Sequence, residues 1–284
     1  MSAATGKAIK AGVNRTAQKA AYSPLMEALA RLGYGVRGLI YITMGILALA
    51  VVFGKTGTPS DQQGAIAAIG KQPAGMFFLW VVLVGLVSYA LWGVIRAVLD
   101  PLNKGHDLKG LFARGGYLVS AVSYAILVLP TYNTITGAGR PAQNGVQGQL
   151  SLTSFMSTVL GRGAVGVAGL LVIAIGIYLI YQGFNNSFDK QFQTYAMNAE
   201  EKKLVTLLGR FGSATRGFII ALVGVLLFLA AYQFTPNKAV GINAALAALL
   251  GQPYGIYLLG IAAFGLIAFG IYSMLSAAWF RMRR

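Results

Sequence analysis

The chain has 284 residues, 56% hydrophobic and only 11% charged, with a formal net charge of +16. Soluble domains carry roughly 25% charged residues, so this composition argues against a water-borne globule of this size. Cysteine is absent and His106 is the single histidine, which excludes disulfides, thiolate metal sites, catalytic thiols and bis-histidine haem.

The first segment, residues 1–27, is basic and Ala-rich, and it lacks an acid before Glu27. Ile9, Val13 and Ala17 give it a weak apolar stripe, so it reads as a surface-lying cytoplasmic segment on anionic lipid, with a disordered tail or a segment docked on a partner protein as the alternatives. No apolar core precedes Leu39, which speaks against a cleaved signal peptide. Six long apolar stretches follow, free of Asp, Glu and Lys: Gly38–Phe53, Met76–Ile95, Gly115–Tyr132, Val165–Phe184, Gly217–Phe234 and Gly255–Phe280. Most approach the roughly 20 residues a helix needs to cross about 30 Å of hydrocarbon. The fold class is therefore all-α and integral to a membrane.

The basic residues set an orientation. With the N-terminal segment placed in the cytoplasm, 18 Lys and Arg fall on that side and five outside (Lys55, Lys71, Arg140, Arg162 and Lys238), together the 23 of the chain. That asymmetry is the positive-inside signature. It predicts both termini in the cytoplasm and assigns the basic excess to topology and anionic headgroups, with no nucleic-acid partner.

The stretches form three units. Unit one (28–100) opens Arg31-Leu-Gly33-Tyr-Gly-Val-Arg37-Gly38, with Gly45 seven residues on. Unit three (208–284) opens Arg210-Phe-Gly212-Ser-Ala-Thr-Arg216-Gly217, with Gly224 in the matching place. Each then carries a small-residue segment (65–69, 245–249), a Gln-Pro-x-Gly step (72–75, 252–255) and Gly-Leu in the second crossing (85–86, 265–266). Unit two (111–188) has diverged: Arg114 and Gly116 match the opening, Ser120 replaces the second arginine, and Gly176 fits the place of Gly85. Its long outer loop predicts a short amphipathic helix over 150–160. Three units inserted the same way suggest a pseudo-threefold arrangement of parallel repeats, with short interfacial helices in the outer loops.

These motifs resemble the bacterial membrane family catalogued as domain of unknown function 1206. The A-R-x-G-[YS]-x-x-R-G opening, the Ala/Leu segment and the Q-P-x-G step carry the resemblance, over about residues 28–280. It implies a multi-pass inner-membrane protein built from three two-helix units, and it implies no activity.

Two sets of residues stand out. Gly38 and Gly45, like Gly217 and Gly224, are nearly two turns apart and share a helix face. With Gly85, Gly176 and Gly265 they predict close helix packing. Arg31, Arg37, Arg114, Arg210 and Arg216 are the sharpest polar feature. They predict topology control with lipid-phosphate contact, an anion-binding ring on the cytoplasmic face, or contacts to the carbonyl ends of neighbouring helices. Tyr89, Trp92 and Tyr272 lie deeper in their helices and predict packing between units. Gly33-x-Gly35-x-x-Gly38 spells a dinucleotide fingerprint, but no strand precedes it and it leads into an apolar helix.

The apolar stretches hold no carboxylate, lysine or histidine that could serve as base, proton relay or metal ligand. The sequence therefore predicts a protein that is not an enzyme and needs no metal or cofactor. The leading expectation is an accessory or scaffold subunit of a larger membrane complex. The alternatives are a transporter or channel for a small anion or lipidic solute along the repeat axis, and a lipid- or pigment-binding protein.

Overall fold

The computed structural model describes residues 24–55, 59–100, 105, 107–137, 156, 158–184, 199–233 and 241–279. The N-terminal segment 1–23 and most of the short helix expected over 150–160 lie outside the described residues. Helices are labelled α1 Pro24–Val52, α2 Gln62–Gly70, α3 Gly75–Leu99, α4 Leu108–Thr136, α5 Val159–Phe184, α6 Ala199–Tyr232, α7 Ile242–Leu250 and α8 Gly255–Trp279. No strand occurs among the described residues. Six helices are long and apolar enough to cross a membrane: α1, α3, α4, α5, α6 and α8. Helices suit this solvent because each span satisfies its own backbone N–H and C=O groups. Pro130 lies inside α4 and breaks one such bond. Nearby, Thr131 and Thr134 donate their hydroxyls to the carbonyls of Leu127 and Pro130.

The long helices pack as a series. α4 lies on α3, α3 on α1, α1 on α8, α8 on α6, and α6 on α5. The first and last units each pair their own two helices, α1 with α3 and α6 with α8. The middle unit does not: among the described residues α4 and α5 share no comparable interface.

α2 and α7 repeat each other closely. Ala65, Ile66 and Ile69 are buried on one face of α2, and Ala245, Leu246 and Leu249 on one face of α7. The Gln-Pro-x-Gly step that follows is a tight turn in both. The Gln72 carbonyl accepts from Gly75 N at 2.8 Å, and the Gln252 carbonyl from Gly255 N at the same distance. Proline presets the second turn position, and the third takes the left-handed region: φ is 61° at Ala74 and 63° at Tyr254. The closing glycine is required by space, since a Cβ on Gly75 would strike the Gly70 carbonyl and one on Gly255 the Leu250 carbonyl. Ala74→Gly should therefore stabilise by up to about 1 kcal/mol, because an L-residue there costs roughly 1–2 kcal/mol. Gly75→Ala should destabilise. Melting of the two variants in detergent checks both signs.

Candidate functional site: an arginine–aromatic cluster

The predicted glycines lie in two kinds of seam. Gly38 and Gly45 face α8, where an added Cβ would stand 2.7 Å from the Gly270 carbonyl oxygen and 2.8 Å from that of Ala263. Gly217 and Gly224 face α5 in the same manner, 2.8 Å from the carbonyl oxygens of Gly176 and Gly169. Gly85 and Gly265 serve the seam inside a unit, taking the side chains of Val36 and Thr215. Gly176 belongs to the first kind: its open side is filled by Ala221 of α6. Its counterpart by contact is Gly270, which faces Gly38, rather than Gly85. Sequence alignment of the diverged unit is therefore five residues out of step with the packing. Too few landmarks survive in that helix to fix its register.

The five predicted arginines do not form one ring. Arg31 pairs with Glu27 at 2.8 Å on the helix surface. Arg114 donates to the carbonyls of Ala97 and Val98 at 2.7 and 3.1 Å, closing the end of α3. Those carbonyls have no partner within their own helix, so a guanidinium fork there answers a standing need. Arg210 lies on α6, six residues before Arg216.

Arg37 and Arg216 lie inside, joined by Arg96, a residue that the positive-inside pattern counts only as a topological charge. Arg37 is 8% exposed and Arg96 4%. Arg37 does not reach out to a headgroup; its Nη1 donates to the Tyr89 hydroxyl at 2.6 Å. Arg96 Nη1 donates to the Tyr34 hydroxyl at 3.2 Å, and half-buried Arg216 donates from Nε to Tyr41 at 3.0 Å. The guanidiniums alternate with rings. Arg216 and Arg37 lie 5.1 and 4.3 Å from the Phe269 centroid. Arg37 and Arg96 lie 5.4 and 5.5 Å from that of Tyr89. Arg96 also stands 4.4 Å from Tyr117, and Tyr124 lies 4.4 Å from Tyr89. Each such contact contributes about 0.5–2 kcal/mol, most where water is excluded. None of the three arginines has a carboxylate partner among the described residues.

Helix geometry places the cluster towards the end of the bundle opposite α2 and α7. Arg37 stands about 22 Å along α1 from Val52, and Arg96 about 32 Å along α3 from Gly75, at 1.5 Å per residue. Arg37 thus falls within a roughly 30 Å hydrocarbon layer counted from Val52. A charge there is costly, and long side chains are tolerated only with partners. The aromatic hydroxyls and ring faces are those partners.

The cluster is lopsided. At the positions of Tyr34, Tyr89, Trp92 and Arg96 in unit one, unit three has Ser213, Phe269, Tyr272 and Ser276. Ser276 donates to the Tyr272 carbonyl instead. The two units share a scaffold, and unit one alone supplies most of the polar centre.

Chemically, the cluster can bind negative charge and donate hydrogen bonds. It presents no activated nucleophile: the hydroxyls of Thr43, Ser88 and Ser273 each bond the carbonyl four residues earlier. Among the described residues no group of three or more His, Cys, Asp or Glu could hold a metal.

The model of the family Domain of Unknown Function (DUF1206) matches residues 32–100 and again 211–280. The two matches cover units one and three and pass over the diverged middle unit. Units one and three are thus similar to this family's domain. The chain is similar to Uncharacterized protein YxxB of Bacillus subtilis (strain 168), 29% identical over 91% of this chain and 93% of that protein. No solved structure matches. The family places the chain among proteins of unknown function, and its six apolar helices make it a multi-pass membrane protein.

Proposed function

We propose that this protein is a non-enzymatic subunit of the bacterial inner membrane, with both termini in the cytoplasm. It acts by association, as an accessory or scaffold component of a larger membrane complex. The observation that carries this reading is the unpaired middle unit. Units one and three each bury their own two helices against each other, whereas among the described residues α4 rests mainly on α3 and α2, and α5 on α6. Leu118, Val122 and Ile126 of α4 and Leu170, Leu171 and Ile177 of α5 are exposed, and Gly115 and Gly116 of α4 have open space where a Cβ would stand. Small residues on an open helix face favour close approach by another membrane helix. The rest of the bundle, seamed by glycines, is the rigid frame that presents them. The absence of Asp, Glu, Lys and His from the apolar stretches supports the non-enzymatic part.

The cysteine-free chain makes the test direct. Single cysteines at Val122 and Leu170 would carry a photo-activated cross-linker in membranes of the native host, with Ile256 on α8 as a lipid-facing control. One protein captured in stoichiometric yield from Val122 and Leu170 but not from Ile256 supports the reading. Capture of lipid alone from all three sites contradicts it.

A second reading, passage of a small anion or lipidic solute, is favoured by the arginines at the polar centre. Tyr41, Tyr89, Trp92 and Phe269 are all buried to within 2% around them, so a carrier would have to repack this wall to move a solute.

A further inference from the structure

The arginine–aromatic cluster is short of negative charge and long on donors. Three guanidiniums gather around the rings of Phe269 and Tyr89. No acid meets them among the described residues. Burying a cation without a counter-charge costs far more than any one aromatic contact returns. Hydrogen bonding is also incomplete: Arg37 Nε, Arg96 Nε and the Tyr124 hydroxyl are buried with no hydrogen-bond partner. Such orphans are rare in folded proteins, and each asks for an acceptor. Arg37, Arg96 and Tyr124 all border the ring of Tyr89. The missing acceptors and the missing charge therefore gather around one side chain, Tyr89.

We propose that this place holds a small monovalent inorganic anion of chloride size, bound by Arg37, Arg96 and Tyr124, with Arg216 contributing charge from beyond Phe269. The surroundings favour a small ion over a large ligand, because Trp92, Tyr89, Tyr124 and Phe269 are buried to within 2%. A lipid phosphate would bring chains through that wall, and a divalent oxyanion would need more desolvation than a halide. The anion is a fixed part of the fold. The proposal stands independently of any partner and of any passage across the membrane.

The test uses the full-length protein purified in mild detergent in sodium gluconate. Chloride, bromide or sulfate then replaces gluconate at constant ionic strength, and the melting temperature is recorded. The expected result is a saturable rise with chloride and bromide and a flat response to sulfate. Tyr124→Phe keeps the ring and removes one donor, so it should move half-saturation about tenfold higher, the equivalent of one hydrogen bond to a charged group. Arg96→Gln should abolish the rise. Bromide-soaked crystals should show an anomalous peak beside Arg37 and Arg96. Equal response to sulfate and halide would overturn the proposal. So would a halide response unchanged in both variants, or phospholipid phosphorus retained at the cluster with no halide effect.

Discussion

Gly224→Val should separate α5 from α6 and unfold the middle of the protein. The new side chain would enter a seam where backbone meets backbone: a Cβ would lie 2.6 Å from Ile173 N and 2.8 Å from the Gly169 carbonyl oxygen. Neither atom can rotate away. Overpacking typically costs about 1–3 kcal/mol, occasionally more. A rigid carbonyl in the path, on a face that is α5's main attachment, puts this variant at about 3 kcal/mol or above. Gly45→Val repeats the experiment on the α1–α8 seam, against Ala263 and Ile267. Gly163→Val and Gly260→Val are the controls, since nothing lies within 4 Å of either position. Melting in detergent should drop sharply for the first pair and hardly move for the second. Equal effects in all four would mean that glycine matters here through helix propensity rather than close approach.

Tyr89→Phe is the second large expectation. It deletes the acceptor for Arg37 and leaves a guanidinium N–H facing an apolar ring. A hydrogen bond to a charged group contributes about 1.5–3 kcal/mol, and stranding its buried partner puts the loss at the upper end. Tyr41→Phe removes the corresponding bond from Arg216. That arginine is only half-buried and can turn to water or headgroups, so the loss there should stay below about 1 kcal/mol. The contrast between two chemically identical substitutions is the informative quantity. A double-mutant cycle of Arg37→Gln with Tyr89→Phe should show coupling of more than about 1 kcal/mol. Additive effects would mean that the short contact does little to hold α1 on α3.

Much of this architecture is legible in the order of the residues. Apolar length finds the six spans, because hydrocarbon thickness is a ruler that sequence must obey. Repeat matching finds α2 and α7 and the turn that follows each, since Gln-Pro-x-Gly encodes one geometry. The seven-residue glycine pairs find a helix face, but not which helix covers it. Gly38 meets α8, across the unit boundary, and nothing local in the sequence names that neighbour. The arginine motif shows a similar limit. Equivalent sequence positions suggest equivalent roles, yet Arg31 is on the surface with Glu27, Arg114 closes α3, and Arg37 goes to the core with Arg216 half-buried near it. What separates them is the company supplied by distant residues: Tyr89 lies 52 positions from Arg37 and Tyr41 lies 175 from Arg216. Arg96 has the sequence context of a topological charge, and its burial depends on Tyr34 and Tyr117 converging from two other helices onto its guanidinium, beside Trp92. One signal is present: unit one is richer in Tyr and Trp than unit three at matching positions, and the polar centre forms on that side.

Central to all of this is a chain with six membrane-crossing helices, for which we propose one orientation, both termini in the cytoplasm. Because the chain contains no cysteine, labelling of single cysteines by a membrane-impermeant maleimide reads that orientation directly. Lys71→Cys, at the end of α2, should react in intact cells, and Lys203→Cys, near the start of α6, should react only after the membrane is permeabilised. Labelling of Lys203→Cys in intact cells, with Lys71→Cys silent or equally reactive, would contradict it.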